Sequence, residues 1–124
     1  MTHVHELVFS HRDGEALARL AAGREHAALS ELMLDARFVA DEALPEDCIA
    51  LGTRVTYAEG GGSATRSVTL VAPGDADPAA GRISVLSPIG LALIGRRPGA
   101  LSEAHLPNGR RLRLRVLELE REAA

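Results

Sequence analysis

An α+β fold, a short antiparallel helical hairpin followed by a sheet with one short helix, is predicted by two changes of rhythm along the chain. Up to residue 37 the apolar positions recur at three and four, as in Leu29, Leu32, Met33 and Ala36. From Ile49 onward they recur at two, as in Val55 and Tyr57 or Leu112, Leu114 and Val116. A third observation is the stretch Ile83–Gly95 (ISVLSPIGLALIG), which reads as a strand that breaks at a turn and re-enters as a short helix. The expected division is therefore 1–47 for the hairpin and its connector and 48–124 for the sheet domain.

Taken in order, Leu7-Val8-Phe9 is either a short strand or a hydrophobic staple. Ser10-His-Arg-Asp13 fits a capping box, in which the Ser10 hydroxyl and the Asp13 carboxylate each satisfy a free N–H. A first helix follows to about Ala22, with Leu17, Leu20 and Ala21 on one face, and Gly23 ends it. A second runs from about Glu25 to Arg37, and so short a turn makes the two antiparallel neighbours. Phe38 to Asp47 is an acidic connector punctuated by Pro45. Strands are expected around Val55–Tyr57 and Val68–Ala72, joined through the loop Glu59–Ser63, and Pro73–Arg82 is a polar crossover. In the central stretch Ser87 suits an N-cap, Pro88 the first helical turn and Gly95 the close of the helix. A weak strand near Ala104–Leu106 and the turn Pro107-Asn108-Gly109 lead to a long final strand. Its alternation breaks between Val116 and Leu117, which predicts a bulge or a strand end.

Composition removes several chemistries. The 124 residues include only three aromatics, Phe9, Phe38 and Tyr57, so the core must be aliphatic and no aromatic-walled pocket is expected. All fourteen basic residues are Arg, which excludes a phosphate-loop lysine, a Schiff base and a lysine general base. Cys48 stands alone, so no intrachain disulfide forms. No apolar run reaches about 18 residues and the N-terminus lacks a secretion pattern, so a cytoplasmic protein without a membrane span is expected. Residues 1–50 carry a charge balance of −6 and residues 51–124 one of +3. Such a polar-opposite molecule suits a charged protein partner better than nucleic acid.

Most candidate sites have a plain structural explanation. Glu59-Gly60-Gly61-Gly62-Ser63 lacks the Gly-Lys-Ser/Thr of a phosphate loop and reads as a hairpin loop. His3 and His5 do not fill a tetrahedral metal site, and no cofactor or metal is expected. Ser84 or Ser87 with His105 lacks both the strained elbow and a third partner for nucleophilic catalysis. Asp41, Glu42, Glu46 and Asp47 resemble a cation site in composition only, as charges on a solvated connector do. The Arg111, Arg113, Arg115 stripe has no interleaved aromatic for base stacking and reads as the wet face of a strand. The corner Leu86-Ser87-Pro88-Ile89 is either a structural turn or, if Leu86 and Ile89 are exposed, a rigid docking point for a partner.

Asp75–Gly95 (DADPAAGRISVLSPIGLALIG) resembles the signature of the C-terminal domain of Gre-type transcription elongation factors, and most closely that of their short Rnk-like relatives, named as regulators of nucleoside diphosphate kinase. The family pattern, a polar segment, a Gly, then Ile- or Val-Ser, two residues, Ser or Ala, Pro-hydrophobic-small-x-Ala-Leu-hydrophobic-Gly, continues with a Gly and a Pro-x-Gly before a last strand, matched by Gly99, Pro107–Gly109 and Arg111–Leu119. The resemblance implies a twisted antiparallel sheet against one short helix, similar to FK506-binding proteins. It implies docking on a coiled coil at the rim of RNA polymerase's secondary channel, through Leu86, Ser87 and Pro88 with Ile89, and with Asp75 and Asp77 just upstream. Cleavage factors tend to carry a polar or acidic residue at the position of Leu86.

The resemblance also implies a difference. Gre-type factors reach the polymerase active centre with a long coiled coil whose acidic tip helps hold Mg²⁺. Here the tip reads Arg24, Glu25, His26 on helices of about twelve residues, about 18 Å long. One carboxylate beside a guanidinium is a poor site for a cation that wants several oxygens. The expected protein is a non-catalytic transcription regulator that binds RNA polymerase and competes with channel-entering factors. Alternatives are a regulator of nucleoside diphosphate kinase or another metabolic enzyme, and a peptidyl-prolyl isomerase.

Overall fold

The computed structural model describes residues 7–22 and 27–121. Strand β1 (Leu7–Ser10) leads directly into helix α1 (His11–Ala21), and helix α2 (Ala27–Leu34) leads into strand β2 (Ala36–Val39). β1 and β2 pair in parallel, with Phe9 opposite Phe38 and their rings edge-to-face at 5.7 Å. This corrects the reading of 38–47 as pure connector and of a second helix reaching Arg37. The helical rhythm continues through Ala36, but the second helix stops at Leu34, which is 83% exposed, because Phe38 is needed against Phe9. A 3₁₀ turn at Asp41–Ala43 follows.

The second sheet has the order β5-β4-β3-β7-β6. β3 (Thr53–Glu59) and β4 (Thr65–Val71) form an antiparallel hairpin around the glycine-rich loop, as its composition predicts. β5 (Arg82–Ser84) runs parallel to β4, so the sheet is mixed and not wholly antiparallel. The cause is the crossover between Val71 and Arg82. Its two 3₁₀ turns, at Pro73–Asp75 and Pro78–Ala80, carry the chain back far enough for β5 to start beside Thr69, two residues before β4 ends, and to run in the same direction. Helix α3 (Pro88–Leu93) then covers the sheet before β6 (Leu101–His105) and β7 (Arg111–Arg121), which pair antiparallel. β6 begins earlier and is longer than the sequence indicates, because its ladder follows β7 and not its own weak alternation.

β7 bears out the phase break. Its register with β3 jumps from Thr56–Glu118 to Tyr57–Val116, leaving Leu117 as the extra residue of a bulge. Leu114 and Val116 are buried while Arg111, Arg113 and Arg115 are exposed, as half-buried strands require.

The core is one cluster, aliphatic except for Phe9 and Tyr57. Phe9, Leu17 and Leu29 of the first βααβ segment share it with Ile49, Val55, Leu70, Leu93, Ile94, Leu114 and Val116. Two hydrogen bonds between Ile49 and the end of α3 (Gly95 N to Ile49 O, 2.9 Å; Ile49 N to Arg96 O, 2.9 Å) tie the linking segment down, and Val8 N donates to Gly95 O at 3.2 Å. Gly95 holds φ at 79°, and a side chain there would meet the Phe9 ring. The Cys48 side chain is fully buried. No helix among the described residues is long and apolar enough to cross a membrane.

Candidate docking corner and the groove beside it

The corner is built by two serines acting on neighbouring backbone. β5 ends at Ser84, whose Oγ accepts from Leu86 N at 3.0 Å. The Ser87 hydroxyl donates to Ser84 O at 2.7 Å and accepts from Gly90 N at 3.1 Å, so the expected N-cap forms. Val85 between them is fully buried, with its N–H on Val71 O at 2.8 Å. Gly90 lies so close beneath that a side chain on it would strike the Ser84 carbonyl and the Val85 backbone. Pro88 opens α3 where its missing N–H is harmless. Leu86 and Ile89 are half-buried and pack on the core, which corrects the picture of both as freely exposed.

The other site residues fall elsewhere. Asp75 and Asp77 stand exposed on the crossover, at the opposite end of β5 from the corner, where Asp77 pairs its backbone with Arg82. Arg24, Glu25 and His26, like His3 and His5, lie outside the described residues. Ser87 gives its proton to a carbonyl and Ser84 Oγ accepts from Leu86 N, while His105 is exposed beside Glu103 at 4.0 Å, so neither serine is hydrogen-bonded to His105 as a nucleophile to its base. The connector acids are divided among separate tasks. Asp41 accepts from Arg12 N at the start of α1 at 2.9 Å, and Asp47 holds Arg97 through two bonds of 3.0 Å. Among the described residues no group of acids, His or Cys is placed to hold a metal.

Asp13 departs from its expected part. Its backbone N–H takes the Ser10 cap at 3.0 Å, but its carboxylate, instead of closing the box, accepts from Leu51 N at 2.9 Å. It thereby joins α1 to the segment that enters β3. Burial pushes its carboxyl pKa up, against the opposing pull of the Leu51 N–H and the Arg12 guanidinium.

Beside the corner lies a groove of about 470 Å³ between α2, α3 and β6. Its apolar lining includes Leu86, Pro88, Leu91 and Leu32. Arg96 also lines it, with Nε and Nη1 shut off from solvent and without a hydrogen-bond acceptor, and burial lowers the guanidinium pKa. Sequence reasoning missed Arg96. Nothing in the pair Arg96-Arg97 says that one meets Asp47 on the surface while the other turns inward.

Comparison with known proteins agrees with this architecture. The profile described as "Transcription elongation factor, GreA/GreB, C-term" matches residues 44–121. Transcription elongation factor GreA of Macrococcus caseolyticus is 34% identical over 72% of this chain and 56% of its own length. The regulator of nucleoside diphosphate kinase of Escherichia coli is 34% identical over 68% of this chain and 62% of its own. The chain thus spans less than two thirds of these curated relatives. A solved GreA/GreB elongation factor from Nitrosomonas europaea superposes with a TM-score of 0.74 at 28% identity, covering 92% of this chain and 97% of that one. The Gfh1 protein of Thermus thermophilus shares the fold at a TM-score of 0.52 and 19% identity. With the serine-built corner, the short α3 and the curled mixed sheet all in place, the chain belongs to the GreA/GreB C-terminal family of transcription elongation factors.

Proposed function

We propose that this protein is a non-catalytic transcription regulator that binds RNA polymerase near its secondary channel and competes there with Gre-type factors without stimulating transcript cleavage. The observation that supports it best is the corner Leu86–Ile89, where a family-specific sequence meets a backbone held by the Ser84 and Ser87 bonds and by the close approach of Gly90. A surface fixed in advance loses little entropy on docking. The non-cleaving part is supported by size. α1 and α2 have eleven and eight residues, about 17 and 12 Å, far short of a long coiled coil. The test is titration of the labelled protein into RNA polymerase core enzyme, followed by displacement with a Gre-type cleavage factor. Saturable binding and mutual displacement are expected, and backtracked complexes supplied with Mg²⁺ should keep their RNA length. Absence of binding at micromolar concentration overturns the docking, and shortened transcripts overturn the non-cleaving role.

A second reading, regulation of nucleoside diphosphate kinase, is favoured by the name of the Escherichia coli relative. Parallel capture of purified kinase and purified polymerase on the immobilised protein separates the two. Prolyl isomerase activity has less support. Phe9 and Tyr57 are buried in the core, so Phe38, which packs edge-on against Phe9, is alone among the three in keeping an exposed face, and one ring does not wall an aromatic pocket. A proline-limited refolding assay should show no acceleration.

A further inference from the structure

We propose that the open face of the five-stranded sheet is self-complementary in charge and pairs with the same face of a second copy of this chain. The inference does not rest on the docking reading. Leu114 and Val116 of β7 point into the core with Leu93 of α3, so the open face lies across the sheet from α3.

Cross-strand partners stand on the same side of a sheet, and the ladder therefore assigns this face residue by residue. Arg111, Arg113 and Arg115 of β7 lie opposite His105, Glu103 and Leu101 of β6. Arg115 also lies opposite Ala58 of β3, while Glu118 and Glu120 lie opposite Thr56 and Arg54. Arg54, Thr56 and Ala58 alternate along β3, so across the bulge at Leu117 the two glutamates share the face of the three arginines. One half of the face holds three arginines against the carboxylate of Glu103. The other half holds two carboxylates against the guanidinium of Arg54. All five charged β7 side chains are exposed, and Leu101 among them is 60% exposed. Arg111 comes within 4.0 Å of Glu103. Among the described residues Arg113, Arg115, Glu118 and Glu120 make no ion pair or side-chain hydrogen bond. Glu118 and Glu120 line a hollow of about 450 Å³ with Thr56, Ser67 and Arg54, within reach of an incoming guanidinium.

Two copies bring such faces together through a twofold axis lying between them. An axis along β7 sets arginine over arginine. An axis across β7, at the level of Tyr57, sets Arg115 over Glu118 of the second copy and Arg113 over its Glu120, and symmetry repeats both pairs. Stacked sheets lie about 10 Å apart, a gap that arginine and glutamate side chains bridge together. Arg54 then falls over the glycine-rich loop after β3 of the second copy, away from the arginine stripe. A phosphate backbone or a wholly acidic partner would meet the arginines and be repelled by Glu118 and Glu120, whereas a second copy answers both halves.

The test is sedimentation equilibrium of the whole protein at low and high salt. A monomer–dimer equilibrium is expected below about 1 mM protein, weakened about tenfold between about 20 mM and 0.5 M salt, because the pairs are solvent-exposed. Arg113→Glu with Arg115→Glu, and separately Glu118→Arg with Glu120→Arg, should each be monomeric while melting close to the wild type. An equimolar mixture of the two should associate at least as tightly as the wild type, since one face is then wholly acidic and the other wholly basic. Rescue in the mixture is a result that damage to the fold does not give. If either reversal fails to fold, Glu118→Gln with Glu120→Gln decides instead, and its association should fall about tenfold. A wild type monomeric at about 1 mM in low salt overturns the inference, also if it then binds an oligodeoxythymidine, which gives the stripe to nucleic acid. Unchanged association in the variants, or a mixture that stays monomeric, overturns it as well.

Discussion

The β5–α3 corner and the N-terminal βααβ segment are held by opposite means. The side-chain bonds that shape the corner join residues within six positions of one another, from Ser84 to Gly90, with a single longer backbone bond from Val85 N to Val71 O. The N-terminal segment is held by partners far away in the chain: β1 to β2, Phe9 to Phe38 and Gly95, Asp13 to Leu51. A locally determined corner keeps its shape when neighbours change. A segment fixed from a distance rises or falls with the shared core. The comparison teaches where stability and specificity can be altered independently.

Removing the distant support should have the largest effect. Phe9→Ala deletes a ring that fills the space against Phe38 and Gly95, and should cost about 4 kcal/mol. Because Leu17 and Leu29 share one cluster with the sheet, denaturant unfolding should remain a single transition, and two separated transitions would show the segments to be independent. Breaking the corner comes next. Gly90→Val drives a branched side chain into the backbone of Ser84 and Val85, and should cost about 3 kcal/mol by the same measurement. Ser87→Ala removes the cap and should cost about 1 kcal/mol, with little change in affinity for polymerase.

The smallest effect sharpens the contrast through pH. Asp13 has a raised folded-state pKa, so protonation favours the fold. Its contribution is fully present below the unfolded value, about 3.9, and is lost as pH rises through the higher folded value. Asp13→Asn keeps an acceptor for Leu51 N–H and removes the titration. The stability difference between variant and wild type should therefore move in favour of the variant as pH rises from 3 to 7. A difference constant over that range would show that the carboxyl does not titrate in the fold as its burial implies.

What was legible in the sequence follows the same division. Ser87 as cap, Pro88 as first helical residue, the glycine-rich hairpin loop and the Leu117 bulge were readable because each depends on its immediate neighbours. β2 was not, since Ala36–Val39 become a strand only by meeting β1, and Ala36 fits the preceding helical rhythm equally well. The parallel pairing of β5 was hidden for a related reason, as the direction of a strand is set by how the crossover folds. At the site, the corner was legible and its groove was not. A groove is made by elements distant in sequence, here Leu32 of α2, Leu91 of α3 and Arg96 beyond it.

The bulge at Leu117 has a consequence for insertions and deletions. β7 carries one residue more than its ladder with β3 uses, because Thr56 faces Glu118 and Tyr57 faces Val116. Deleting Leu117 would make Val116 and Glu118 consecutive and leave each remaining side chain on its present face, the exposed Glu118 and Glu120 included. The partition of residues between core and water therefore does not depend on Leu117. Its contribution is the added local twist that an unpaired residue imposes on a strand. A strand one residue shorter would keep the same chemistry on a flatter sheet, so the curvature of the domain can change by deletion without a change in what its faces display.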